Sequence, residues 1–282
     1  MREPEPVTIR GPEQQLALYT QGSDLPLSAE EWEQGARDVL SDGPFGYVAG
    51  GAGAEDTMRA NREAFYRWRI APRMLRDVSH RTLATSLLGL PLSAPLLLAP
   101  VGVQSVIHPD ADRASARAAA SLGVPFILST LSSVSMEEVA SVMGEAPRWF
   151  QLYAVNNPEI VRSMVQRAER AGYSAIVVTL DTNILAWRER DLRNRYLPFL
   201  TGEGLANFVS DPVFRALLVR PPEEDLQAAA QQWLRIFSNP RLSWNDLDAI
   251  RSMTSLPVLL KGILHPDDAR KALEYGANGI VV

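Results

Sequence analysis

Apolar and polar positions alternate with two different rhythms along the chain. Ser28 and Glu31 have capping-box spacing, and Trp32, Ala36, Val39 and Leu40 follow at helical intervals, which predicts a helix beginning at Ser28. A second short helix is expected after Pro44, closing in the glycines of Tyr47-Val48-Ala49-Gly50-Gly51-Ala52-Gly53. The chain before them, to about Pro26, is polar and proline-containing and reads as an extended arm. Past residue 90 short apolar runs recur: 96–99, 126–128, 149–152, 176–179, 258–260 and 280–282. Amphipathic helical stretches separate most of them. Gly123, Gly172 and Gly276 stand where a helix would end just before such a run. Continuously apolar strands imply a parallel sheet covered on both faces. The echo of His108-Pro109-Asp110 in His265-Pro266-Asp267, each opening an alanine- and arginine-bearing helix, adds a repeated βα unit. The pattern therefore predicts an α/β protein, either a (β/α)8 barrel or a doubly wound sheet.

About six strands can be counted, whereas a closed barrel has eight. The last run ends at Val282 and leaves an apolar sheet edge open, so the chain is expected to be a C-terminally truncated barrel. The expected divisions are an N-terminal arm (1–27), a helical segment (28–90) and an incomplete barrel (91–282). No strand is evident between Asp181 and Pro257, and the part from about 196 to 243 is expected to form a lid.

Composition narrows the function classes. The 282 residues carry a net charge of -5 and no basic stripe, which argues against nucleic acid. The absence of cysteine excludes disulfides and thiolate chemistry. No signal-peptide core or long apolar run is present, so a cytoplasmic protein without membrane attachment is expected. Basic residues are almost all arginine. Lys261 and Lys271 are the only lysines, which draws attention to Lys261 at a strand end.

In a parallel barrel the chemistry sits at the C-terminal strand ends. Those ends read Pro100, Val101, Gly102 and Gln104; Ser129 and Thr130; Gln151 and Tyr153; Thr179 and Asp181, with Arg188 nearby; and Lys261 and Gly262. Each polar member taken singly has an ordinary structural reading, but their convergence on one end of one sheet makes a candidate site. The histidines are poor candidates for a base: His108 and His265 precede Pro-Asp at helix starts, and His80 falls in a predicted surface turn. No metal-ligand spacing is present, and the glycines near Gly51 follow a helix rather than a strand, so they do not form a phosphate loop.

These residues resemble the FMN-dependent 2-hydroxy-acid dehydrogenase/oxidase family. The resemblance runs from about Leu40 to Val282 and is carried by Ala99-Pro100, Phe150-Gln151-Leu152-Tyr153, Leu180-Asp181-Thr182, Arg188-Glu189-Arg190-Asp191 and Leu260-Lys261-Gly262. Within the family, residues 47–53 and 207–214 are most similar to lactate 2-monooxygenase. The resemblance implies a TIM barrel with N-terminal helices and FMN as cofactor. It implies Pro100, Val101, Gly102, Thr130, Gln151, Thr179 and Lys261 as flavin contacts, and Tyr47, Tyr153 and Arg188 as contacts to a small 2-hydroxy acid. Asp181 resembles the residue that orients a catalytic histidine. The implied reaction is oxidation of a small L-2-hydroxy acid, with lactate the first candidate and oxygen as acceptor, in a tetramer or octamer. The family's Ser-Asn-His-Gly-Gly-Arg run, which holds the base, has no counterpart in these 282 residues, nor do the segments that seat the FMN phosphate. The chain by itself is therefore expected to lack activity and to bind FMN weakly if at all. The rival readings are a non-catalytic remnant paired with full-length subunits, and another flavin- or phosphate-binding barrel.

Overall fold

The computed structural model describes residues 12–22 and 25–282, which divide into two compact units. One comprises the chain to Pro95 together with Ala186–Tyr196, and the other comprises Leu96–Leu185 and Leu197–Val282. The first unit thus ends its N-terminal part at Pro95 and also takes in a piece of chain from beyond Asp181.

The first unit holds helices α1 (Pro12–Gln21), α2 (Ala29–Val39), α3 (Asp42–Ala49) and α4 (Asp56–Phe65), the strands β1 (Thr85–Leu87) and β2 (Leu90–Leu92), and helix α8 (Glu189–Asn194). Helix α1 corrects the extended arm: Glu-Gln-Gln-Leu-Ala-Leu is helix-favouring sequence, and Pro12 occupies the first turn, where its missing N–H costs nothing. The rest of that arm, residues 1–11, lies outside the described residues. The capping box at α2 forms as predicted, with the Glu31 N–H donating to Ser28 Oγ at 3.1 Å. Helix α3 starts at Asp42, ahead of Pro44, because proline is tolerated in a first turn. The segment expected to be helical through residue 90 instead ends in a hairpin, β1 pairing antiparallel with β2. Leu88 and Gly89 make its two-residue turn with φ of 50° and 78°, the left-handed pair that hairpin twist requires.

The second unit contains helices α5 (Ala111–Leu122), α6 (Met136–Met143), α7 (Pro158–Arg170), α9 (Ala206–Val209), α10 (Pro212–Arg215), α11 (Leu226–Phe237), α12 (Trp244–Arg251) and α13 (Pro266–Glu274). Its strands are β3 (Phe126–Leu128), β4 (Arg148–Leu152), β5 (Ile176–Thr179), β6 (Val258–Lys261) and β7 (Gly279–Val281). They lie side by side in chain order, every pair parallel. This is the predicted α/β barrel architecture, with five paired strands. The run 96–99 contributes only a single bridge, Leu98 to Phe126. It is pinned between Pro95 and Pro100, neither of which can donate to a ladder.

The core on both sheet faces is apolar: Phe150, Leu152, Ile176 and Val177 are fully buried, as are Met136, Val139, Ile160 and Val165 on α6 and α7. The insertion expected as a lid is for most of its length a packed helical layer. The Trp233 ring lies 4.5 Å from Phe199 and 4.7 Å from Phe237 between centroids, and Phe208 meets Phe214 edge-on at 5.6 Å. Among the described residues no helix is long and apolar enough to cross a membrane.

Candidate active site

The C-terminal ends of β3 to β6 bring most of the predicted site residues together within the second unit. Gln151 is the penultimate residue of β4 and is almost completely buried. Its Oε1 accepts from the Thr130 N–H at 3.1 Å and the Ser129 hydroxyl at 3.2 Å. A backbone N–H can only donate, so the carboxamide oxygen must face Thr130 and the NH2 must face away. That Nε2 is buried and has no partner. The Thr179 hydroxyl at the end of β5 is in the same condition, buried without a partner. A buried unsatisfied donor costs about 1–3 kcal/mol. Two at neighbouring strand ends mark where a polar ligand edge would be received.

Thr130 is committed to bracing the strand ends. Its hydroxyl donates to the Gln151 carbonyl at 2.6 Å and accepts from the Tyr153 N–H at 3.0 Å. Only one lone pair is then left for any bound group. Pro100, Val101 and Gly102 form the loop after the Leu98 bridge, tied down by the Val103 N–H to Leu131 O at 2.8 Å. A Cβ on Gly102 would sit 3.0 Å from Leu131 O and 3.3 Å from Ser129 Oγ, a tight approach that glycine relieves. Gln104 is a loop brace: its Nε2 donates to Val101 O and its Oε1 accepts from Ser115.

Lys261 ends β6 with its Nζ 3.5 Å from Asp181 Oδ2. Gly262, at φ 98°, makes room for that carboxylate: a Cβ there would lie 3.0 Å from Asp181 Oδ2. Tyr153 packs edge-on to Phe237 at 5.4 Å. Burial raises its pKa above the ordinary phenol value, opposed by a hydrogen bond with Thr182 and reinforced by the charge of Asp181. The phenol therefore stays protonated at neutral pH.

Tyr47 and Arg188 are brought together in the first unit. The Arg188 guanidinium lies 5.1 Å from the centre of the Tyr47 ring. Its Nε donates to Asp191 at 2.6 Å, and its Nη2 donates to the carbonyls of Tyr47 and Gly50, the latter at 3.0 Å. Sequence reasoning assigned Arg188 to substrate alone. Here it also satisfies carbonyls at the end of α3, a contact between residues 138 apart in the chain and invisible to local pattern. The three histidines are at helix starts and in a surface bend. His265 Nδ1 accepts from the Asp267 N–H and His108 Nδ1 from the Asp110 N–H, while His80 is exposed.

Residues 36–282 match the family described as FMN-dependent dehydrogenase. An L-lactate oxidase of Lysinibacillus sphaericus is 42% identical over 267 residues, covering 95% of this chain and 68% of that protein. The 2-hydroxyacid oxidase 1 of Homo sapiens is 39% identical over 91% of this chain and 68% of its own length. A solved structure of mandelate oxidase superposes with a TM-score of 0.78 at 40% identity, over 92% of this chain and 68% of that one. The chain spans about two thirds of the length of these relatives. A parallel sheet whose strand ends carry Gln151, Thr179 and Lys261, matched over nearly its whole length at this identity, belongs to the FMN-dependent dehydrogenase family, whose members include 2-hydroxy-acid oxidases.

Proposed function

We propose that the chain provides the flavin- and substrate-binding face of an enzyme that oxidises a small L-2-hydroxy acid, with lactate as first candidate and oxygen as electron acceptor. The observation that carries this reading is the pair of buried, partnerless donors, Gln151 Nε2 and Thr179 Oγ1, at adjacent strand ends. They fit FMN, whose ring edge offers carbonyl and nitrogen acceptors. The loop 100–102, narrowed at Gly102, would lie against the ring, with Thr130 accepting through its remaining lone pair. Lys261 would supply positive charge where negative charge develops on the ring. When bound, FMN supplies the two-electron acceptor for the alcohol carbon.

The substrate contacts follow the same logic. Tyr153, kept protonated by burial, donates a hydrogen bond to a carboxylate or hydroxyl. Arg188 retains Nη1 as a donor beyond its present partners and suits a carboxylate, with Tyr47 beside it. Asp181, already paired with Lys261, would orient an imidazolium by accepting its N–H. His108 and His265 accept backbone N–H groups at helix starts and His80 is exposed in a bend, so none of the three is proposed as the base. The chain's own turnover is therefore proposed to be absent, its role being that of binding face. Resemblance to lactate 2-monooxygenase at 47–53 and 207–214 favours retention of the first product for a second oxidation by peroxide, which gives acetate and carbon dioxide.

The test is a panel of L-lactate, glycolate and (S)-mandelate assayed with product analysis, on the chain alone and joined to a family-type segment beginning Ser-Asn-His-Gly-Gly-Arg. Expected are inactivity of the chain alone and L-lactate preference in the extended protein, with acetate rather than pyruvate plus peroxide. Equal inactivity of the extended protein toward all three acids would overturn the substrate class. Pyruvate and peroxide would overturn the monooxygenase reading alone.

A further inference from the structure

The direction of the Gln151 donor is set by the 129–132 loop, and that loop is held from behind by one side chain in the insertion. Asn207 on α9 is fully buried. Its Nδ2 donates to Ser132 Oγ at 2.9 Å, Thr130 O at 3.2 Å and Ser129 O at 3.3 Å. Its Oδ1 accepts from the Met136 N–H at 2.8 Å. That N–H can only donate, so the amide cannot turn over without setting like against like at both ends. Every hydrogen bond of the Asn207 side chain goes to residues 129–136, more than seventy residues away in sequence.

The same helix is clamped on its other side. Arg167 on α7 donates to the Asn207 carbonyl at 2.8 Å, to Asp211 at 3.0 Å and to Ser210 at 2.8 Å, and pairs doubly with Glu137. A chain of fixed contacts thus runs from α7 through Asn207 to the carbonyls of Ser129 and Thr130. From there the Ser129 hydroxyl and the Thr130 N–H lead to the oxygen of Gln151.

We infer that Asn207 is a positioning residue for the cofactor: by fixing the 129–132 loop it aims the Gln151 Nε2 donor at the flavin edge. The inference rests on the reading of Gln151 as a flavin donor. It gives the insertion after β5 a second role besides cover, since α9 then forms the back wall of the cofactor site. Replacing the Asn207 amide by a carboxylate turns an oxygen toward the Ser129 and Thr130 carbonyls, so the loop must move and the Gln151 oxygen loses its two donors.

FMN is titrated into the chain joined to the family-type segment beginning Ser-Asn-His-Gly-Gly-Arg and into its Asn207→Asp, Asn207→Ser and Gln151→Met variants, following flavin fluorescence and the near-ultraviolet flavin band, with apo-protein thermal midpoints measured alongside. Asn207→Asp should weaken FMN binding about tenfold and Asn207→Ser by less, as expected for one misdirected hydrogen bond. Both should shift the near-ultraviolet band in the direction that Gln151→Met does. A purely structural role would lower the apo midpoint and leave band position and affinity of the folded protein unchanged, which overturns the inference. If Asn207→Asp does not fold, Asn207→Ser decides by the same criteria. Gln151→Met with unaltered affinity and band, or an extended protein that binds no FMN, overturns the underlying reading. A Gln151 effect without an Asn207 effect overturns only the positioning role.

Discussion

Replacing Arg167 by methionine tests the energetics of the wall behind the site. The guanidinium is 7% exposed and serves five acceptor contacts. Burial presses against its charge, but the hydrogen bonds and charge of Glu137, with Asp211, outweigh that and raise its pKa. Its two carboxylate partners differ. Glu137 is half exposed, so water can take over much of that pairing. Asp211 is fully buried and would keep only Ser163 and the Val213 and Phe214 N–H groups. Breaking a buried pair by removing one partner costs about 3–5 kcal/mol. Methionine refills part of the volume and Asp211 retains three donors, so the lower end, about 3 kcal/mol, is expected. For a chain of this size that lowers the thermal midpoint by roughly 6–12 °C. The control is Arg113→Met, which breaks the exposed pair with Glu138 and should cost less than about 1 kcal/mol. Differential scanning calorimetry of the three proteins gives the comparison. Equal, small losses for both variants would refute the argument that burial makes the Arg167 network consequential.

Two other outcomes are expected. Thr179→Val removes a buried hydroxyl that has no partner, so the apo-protein should be no less stable in denaturant titration, while FMN binds several-fold more weakly by fluorescence titration; a loss of apo stability above about 1 kcal/mol would show that the hydroxyl is satisfied in the protein itself. Asp112 is buried, and desolvation raises its pKa from 3.8 to about 6 despite the Ser133 N–H bond. A raised carboxyl pKa means that the folded state binds the proton more tightly, so this contribution is present below pH 3.8 and is lost as pH rises through about 6. The difference is worth roughly 3 kcal/mol. Asp112→Asn should flatten stability between those values, and an unchanged pH profile would remove Asp112 as the cause.

Much of the fold was legible because β3 to β6 are buried on both faces and therefore appear as largely apolar runs. Ile176-Val177-Val178-Thr179 is the clearest case, with the polar residue falling at the end where the site lies. Gln151 stood out for the same reason, as an amide among the apolar residues 149–152. The run 96–99 had the right composition, but its flanking prolines restrict it to one bridge. The β1–β2 hairpin was missed because its turn places Leu88 at positive φ, where leucine gives no local signal. The Asn207 clamp and the Arg188 contacts to the end of α3 join residues 71 to 141 positions apart, a distance at which periodicity carries no information. The insertion after β5 looked like loose chain because its core, centred on Trp233, is assembled from aromatic residues spread over 199–237.

The measurement closest to the central claim is an anaerobic titration of FMN into the 282-residue chain and its Gln151→Leu/Thr179→Val double variant, followed by addition of L-lactate. Expected are at most weak quenching and a small spectral shift with the parent chain, both lost in the double variant, and no bleaching of the flavin by L-lactate. Equal FMN binding by parent and double variant would contradict the placement of the flavin at these strand ends. Bleaching by the chain alone would show that it carries a base other than the missing histidine.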